Sequence, residues 1–187
     1  MQKVYTFSNI HSLKNRIIFF DANILIFLFW PTITKNNRSE KYSKIFKILL
    51  QQKVNPTIDF IVISEVINRA IRTEYAKHLQ EKNLSKKELR FKTYRDSQEG
   101  QMALSDIYIT LRKIIREMFN IVGKEFSQIN IESFLKVDDL DFSDKGILVI
   151  CRDNDFVLFT DDKDYTNSKV EILTLNKDIM KRRHNVS

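Results

Sequence analysis

Four acidic residues stand where apolar segments begin or end, and this placement makes them the best candidates in the sequence for catalysis. Clustered carboxylates repel one another and would not all ionise. A bound divalent cation removes that cost, and a ligand set made only of oxygen atoms suits Mg²⁺ or Mn²⁺. The residues that we expect to hold such a cation are Asp21, Glu65, Asp144 and Asp162.

The elements that must position these acids are buried strands of a parallel sheet. Runs rich in apolar residues predict strands at 17–20, 58–63, 156–160 and 170–175, with a weaker candidate at 128–131. Helical patterns follow the first two strands, as in βαβ units. The carboxyl ends of parallel strands share one edge of a sheet, where such folds bind ligands, so the four acids should meet there.

Each acid also has a simpler explanation when it is taken alone. Asp21 could cap the helix that follows it. Glu65 and Asp144 could complement a helix dipole, each from the first turn of its helix, and Asp162 could be a turn residue. The ordered placement of all four at strand ends favours the shared site over these separate roles.

The acidic run after the strand at 156–160 makes a more detailed prediction. Consecutive side chains of an extended segment point to opposite sides. Asp162 and Asp164 should therefore face the site, and Asp161 should face away. On this basis Asp161→Ala should be mild and Asp162→Ala severe.

Helices are predicted to make up most of the remaining chain. Residues 24–30 form a helix or a loop that Pro31 ends, and Pro56 with Thr57 marks a turn. Ser85 and Glu88 match a capping box that opens a basic helix reaching about residue 95. Further helices are predicted at 40–52, capped by Ser39, at 64–82, at 101–121, ended by Gly123, and at 144–152.

The expected organisation is one domain over residues 1–187. The segment at about 80–122 is interpreted as a helical elaboration of the sheet, because no linker composition isolates it. A short basic tail, 180–187, ends the chain.

The distribution of charge indicates a polyanionic partner. The net charge is +7, and the stretch 35–95 holds 15 Lys and Arg against 6 Asp and Glu. The stretch 138–164 is the reverse, with 9 Asp against 3 Lys and Arg. A solvated acidic face would repel that partner, whereas carboxylates that bind a metal would not.

Composition also excludes several classes of protein. A single cysteine, Cys151, excludes an internal disulfide and a zinc site built from cysteines. No apolar run reaches the length of a membrane span. The first 15 residues lack the apolar segment of a secretory signal, so we expect a cytoplasmic protein.

In four segments the sequence resembles the PIN-domain ribonucleases, which include the VapC-like toxins of toxin–antitoxin pairs. The segments are the strand end at 21–25, the helix start at 64–66, Asp144 with its apolar helix, and 159–165. The last is similar to the family pattern Thr-x-Asp-x-Asp-Phe, with Tyr165 in the place of Phe. The resemblance covers roughly residues 17–70 and 138–175.

This resemblance implies a three-layer α/β/α PIN-like fold around a mainly parallel sheet of about five strands, with a helical elaboration. It assigns the four acids named above to a catalytic Mg²⁺ or Mn²⁺ site and makes Asp164 a candidate outer ligand. It places three further polar residues near the metal, namely Asn23, Ser64 and Thr160.

The implied activity is metal-dependent endoribonuclease cleavage that leaves a 5′-phosphate and a 3′-hydroxyl. Basic side chains would hold the RNA backbone without reading its sequence. An antitoxin protein and a second copy of the chain are further candidate partners, and no membrane partner is expected. Two alternatives stay open: a non-catalytic PIN-like scaffold that binds RNA or protein, and a DNA flap-type nuclease in which residues 80–122 form an arch. The residues expected to contact RNA are Lys86, Lys87 and Arg90.

Overall fold

A parallel sheet of six strands forms the centre of the protein in the computed structural model, which describes residues 2–30 and 37–182. Pro31 and the last five residues of the predicted basic tail lie outside the described residues. The strand order is β1-β6-β5-β2-β3-β4. The strands are β1 (Val4–Tyr5), β2 (Ile17–Phe20), β3 (Asn55–Ile58), β4 (Asn120–Ile121), β5 (Val157–Phe159) and β6 (Ile172–Leu173).

Strand β2 lies in the interior of this sheet, as its apolar run predicts. It pairs in parallel with β3 on one side and β5 on the other. Ile18, Phe19 and Phe20 are fully buried. The register aligns Phe20 with Phe159, so the residues that follow these two strands meet at the same carboxyl edge.

The helices cover both faces of the sheet. Helices α1 to α5 connect β2 to β3 and β3 to β4, whereas α6 and α7 lead back from β4 to β5. Parallel crossovers are right-handed, so these two sets of helices lie on opposite faces, which confirms the expected three-layer α/β/α class. The helices are α1 (Ala22–Phe29), α2 (Asn37–Gln51), α3 (Phe60–Glu81), α4 (Phe91–Arg95), α5 (Gln98–Met118), α6 (Gln128–Phe134), α7 (Phe142–Asp153) and α8 (Lys177–Arg182).

No helix within the described residues is long and apolar enough to cross a membrane. Two 3₁₀ helices complete the regular structure, at Phe7–Leu13 and Lys163–Asn167.

The predicted strand at 58–63 is wrong in its position. The strand is Asn55–Ile58, so Pro56 lies inside it and does not form a turn. Asp59 ends the strand and caps α3, because its side chain accepts a hydrogen bond of 2.9 Å from the Val62 amide. The apolar residues from Phe60 onward therefore begin a helix.

Other boundaries also differ from the prediction. Residues 128–131 belong to helix α6, where Ser127 and Asn130 form a capping box, and the additional strands β1 and β4 bring the count from about five to six. The Ser85–Glu88 capping box forms but closes only a turn, and the basic helix is the short α4. Helix α5 starts at the Ser97 cap and ends before Gly123.

The segment at 80–122 packs as one arm of a helical hairpin. Ile63 and Ile67 of α3 line a groove with Leu111 and Ile115 of α5. Farther along, Glu74 lies beside residues 103–107, so the two helices run antiparallel. Residues 82–97 form the hairpin tip. Helix α5 therefore lies along α3 in this hairpin.

Candidate active site at the carboxyl edge of the sheet

Asp21 is the buried centre of the candidate site. Asp21 directly follows β2, and only 4% of its surface is exposed. The Thr160 hydroxyl donates a hydrogen bond of 2.5 Å to Asp21 Oδ2, and the Asn23 amide donates one of 2.6 Å to the same oxygen. Its side chain makes no capping hydrogen bond to α1, so helix capping does not explain this aspartate.

Thr160 and Asn23 also connect the ends of β2 and β5. The Thr160 hydroxyl accepts a hydrogen bond of 2.9 Å from the Asp162 amide, and Asn23 Oδ1 accepts one of 3.2 Å from the Asp161 amide. These two side chains thus hold the backbone that follows β5, at Asp161 and Asp162, next to the end of β2. Ser64 is half-buried on α3 and is absent from this hydrogen-bonded set within the described residues.

The charges around Asp21 show which acids the fold brings together. Burial raises the pKa of Asp21 to about 7, the Thr160 hydrogen bond opposes this rise, and the negative charges of Glu65 and Asp144 add to it. The positive charge of Arg69 lowers the pKa. Three of the four predicted acids therefore act on one another at this edge of the sheet.

Asp144 lies in the first turn of α7, as predicted, and is held by a tyrosine. The buried Tyr165 hydroxyl donates a hydrogen bond of 2.6 Å to Asp144 Oδ1. Burial raises the pKa of Asp144, the Tyr165 hydrogen bond lowers it, and the charges of Asp162 and Glu65 raise it further. Asp162 thus joins the same electrostatic group, which we call the carboxylate cluster (Asp21, Glu65, Asp144 and Asp162).

Glu65 lies in the second turn of α3, because the helix begins four residues earlier than the sequence predicted. Its Oε1 atom forms an ion pair with Nη2 of Arg69, one turn later on the same helix. The side chain of Glu65 is 27% exposed and that of Arg69 is 46% exposed. Our sequence analysis missed Arg69, although its spacing of four residues from Glu65 places it on the same helix face.

The prediction for the acidic run was partly wrong. Asp162 Oδ1 accepts a hydrogen bond of 3.0 Å from the Asp164 amide and so caps the 3₁₀ helix that follows. The chain is helical after Asp162, so side chains no longer alternate. Asp164 is exposed and lines a concavity with Asp139 and Asp178 that the carboxylate cluster does not line.

Asp161 does face away from the cluster, but it is a structural residue. It is buried, and it accepts hydrogen bonds of 2.5 Å from the Tyr42 hydroxyl and 2.6 Å from Arg38. The Asn176 amide donates one of 2.6 Å to its backbone carbonyl. The expectation that Asp161→Ala is mild therefore needs revision, since that change would remove the acceptor of a buried tyrosine.

The donor chemistry of the cluster fits a divalent cation, although its oxygens have internal partners in this state. Over residues 2–30 and 37–182, no three His, Cys, Asp or Glu side chains are placed to hold a metal. Asp21 and Asp144 accept hydrogen bonds, and Glu65 is paired with Arg69. A cation such as Mg²⁺ or Mn²⁺ would take these oxygens, provided that Glu65 leaves Arg69.

The three residues predicted to hold RNA lie at the hairpin tip, away from the carboxylate cluster. Lys86, Lys87 and Arg90 are exposed. Lys86 and Lys87 follow the end of α3 at Glu81, which lies sixteen positions or about 24 Å of helix beyond Glu65. Arg90 follows Leu89, whose carbonyl accepts a hydrogen bond from Tyr75, ten positions or about 15 Å of helix beyond Glu65. Only an RNA chain of several nucleotides would reach both places.

Comparisons with known proteins add little to these observations. No protein-family model matches the chain, and a search of curated proteins found no significant match. Among solved structures, the chain is similar to VapBC2 from Rickettsia felis, crystallised with a DNA fragment from their promoter. The TM-score is 0.47 and the identity 13%, over 84% of this chain and 98% of that chain. A likeness of this degree carries neither family nor function over to this chain.

Proposed function

We propose that this protein is a divalent-metal-dependent ribonuclease of the PIN-like type. The observation that carries the proposal is the buried Asp21 carboxylate at the carboxyl edge of a parallel sheet, with the charges of Glu65 and Asp144 directed at it. An acid with a strongly raised pKa beside other acids is costly to the fold, and such groups cluster at functional sites. A cation would remove that cost.

The four acids of the cluster would hold Mg²⁺ or Mn²⁺. When bound, the metal supplies a water of lowered pKa and shields the charge of the phosphate. Thr160 and Asn23 keep Asp21 in place, and Tyr165 does the same for Asp144. The products would carry a 5′-phosphate and a 3′-hydroxyl, as the family resemblance implies.

The proposal extends to partners through charge and resemblance. The net charge of +7 favours RNA, and the exposed cations of the hairpin tip would contact its phosphates. A role as the toxin of a toxin–antitoxin pair, with an antitoxin protein as partner and a homodimer as the active form, is part of the same proposal. Sedimentation of the purified protein, alone and with a co-expressed partner, tests these assemblies.

One observation favours a second candidate function, a PIN-like scaffold that binds RNA or protein without cleaving it. The described residues hold no ready group of three metal ligands, and Glu65 is neutralised by Arg69. The flap-nuclease alternative gains no such support, because α5 lies along α3 and does not form an arch.

Cleavage of RNA with and without metal separates the two functions. We would incubate total RNA with the protein in Mg²⁺ or in EDTA and determine the product ends. Glu65→Gln tests the cluster, and Glu40→Gln is the matched control. Glu40 also forms an ion pair with a residue four positions later, Lys44, but on an exposed helix face. The nuclease predicts Mg²⁺-dependent cleavage with 5′-phosphate ends that only Glu65→Gln abolishes. RNA binding without cleavage under either condition would establish the scaffold instead.

A further inference from the structure

Arg69 is a basic residue that interacts with two members of the carboxylate cluster. Its guanidinium pairs with Glu65, and its positive charge acts on the buried Asp21. The Glu40–Lys44 pair of α2 has the same spacing, but its side chains are 68% and 63% exposed. The Glu65 side chain is only 27% exposed, so its pairing with Arg69 forms partly away from water. The Arg69 guanidinium is also close enough to a second carboxylate, that of Asp21, for its charge to act on it.

We propose that Arg69 and the divalent metal compete for Glu65, and that the guanidinium released by metal binding then holds a phosphate of the RNA. This inference rests on the proposed ribonuclease function and adds a phosphate-binding residue to the site.

The competition follows from the charges. A metal ligand must present its oxygen to the cation, and Oε1 of Glu65 is occupied by Arg69. Arginine does not lose its proton in proteins, so a metal that approaches Glu65 meets a fixed positive charge. A metal on the second oxygen of Glu65 would still lie within a few ångströms of this guanidinium, where the two positive charges repel each other. Metal binding therefore displaces Arg69.

The displaced guanidinium would stay near the carboxylate cluster, because α3 holds the backbone of Arg69. Its side chain is 46% exposed, so it can reorient toward solvent. The anion that a nuclease brings to this place is a phosphate, and a guanidinium binds phosphate with two parallel hydrogen bonds. Arg69 would thus weaken metal binding and strengthen RNA binding, two effects of opposite sign from one residue.

The test measures both effects on the full chain. Mn²⁺ affinity is determined by titration calorimetry without RNA. The affinity for a 12-nucleotide single-stranded RNA is determined in Ca²⁺, after a gel has shown that the RNA stays intact, and again in EDTA. The variant is Arg69→Gln. Lys44→Gln is the matched control, because it removes one positive charge and one ion pair of the same spacing on an exposed face.

We expect Arg69→Gln to bind Mn²⁺ about tenfold more tightly and RNA in Ca²⁺ about tenfold more weakly, with Lys44→Gln unchanged in Mn²⁺ affinity. In EDTA the loss of RNA affinity should be smaller, since Arg69 then stays on Glu65. Unchanged or weaker Mn²⁺ binding in Arg69→Gln would overturn the competition, and unchanged RNA affinity in Ca²⁺ would overturn the phosphate contact. A native protein that binds no Mn²⁺ would instead overturn the proposed function.

Discussion

Replacing Asp21 with Asn should stabilise the metal-free protein, and by an amount that depends on pH. Asp21 has a folded-state pKa of about 7, far above the value of about 3.9 in an unfolded chain. Between these values the folded state binds more protons than the unfolded state, so stability falls as the pH rises through this window. The asparagine variant does not titrate and escapes this loss.

The size of the effect follows from the shift in pKa. A rise of about three units corresponds to about 4 kcal/mol once the pH is above the folded pKa. At pH 8 we therefore expect Asp21→Asn to raise the free energy of unfolding by about 4 kcal/mol, at pH 5 by about 1.5 kcal/mol, and at pH 3 by almost nothing. Asparagine keeps an oxygen that can accept the hydrogen bonds of Thr160 and Asn23.

Urea denaturation in EDTA at these three pH values measures the effect. An unchanged slope of free energy against urea concentration would show that the variant changes stability and not the extent of unfolding. Asp139→Asn is the control, since it removes an exposed carboxylate and should change stability by under about 0.5 kcal/mol at every pH. The same Asp21→Asn variant should lose Mn²⁺ binding and RNA cleavage. A gain that does not depend on pH, or a loss of stability at pH 8, would refute our account of Asp21.

Three further predictions follow from the contacts of the site. Tyr165→Phe should keep the fold but weaken Mn²⁺ binding by about tenfold in calorimetry, because it removes a hydrogen bond to a charged group, Asp144; an unchanged affinity would contradict the positioning role. Asp161→Ala should lower the free energy of unfolding by about 1–3 kcal/mol in urea, whereas Asp162→Ala should mainly abolish cleavage; the reverse pattern would show that these two roles are exchanged. Replacing Lys86, Lys87 and Arg90 together with Gln should make the slope of log affinity against log salt shallower by about 0.7 for each lost contact. This should hold only for RNA long enough to span at least about 15 Å, so a dinucleotide is the control.

The strands beside the site were predictable because both are buried on two faces. Residues 17–20 and 156–159 are uninterrupted apolar runs, and the residues that follow them, including Asp21 and Thr160, meet at one edge of the sheet. The second strand was misplaced because a short apolar run does not distinguish a strand from a buried helix. Asp59, just before the run at 60–63, was the available indication of a helix start.

The parts of the site that escaped prediction depend on contacts between distant residues or on local helix geometry. Tyr165 reaches back across 21 positions to Asp144, and no spacing rule predicts that contact. Arg69 lies four residues after Glu65 in the predicted helix as well, but that spacing alone does not show that the pair lies at the carboxylate cluster. Asp164 was assigned to the site by an alternation rule that holds only for extended chain, and the capping by Asp162 begins a helix there.

A crystal of the protein soaked in Mn²⁺ tests the central claim most directly. We expect one strong anomalous peak within the carboxylate cluster, about 2.1 Å from an oxygen of Asp21, with the Arg69 guanidinium displaced from Glu65. The exposed acidic concavity of Asp139, Asp164 and Asp178 provides a comparison in the same crystal. A peak in that concavity alone, or no peak at Asp21, would contradict the assignment of a metal-dependent site to this edge of the sheet.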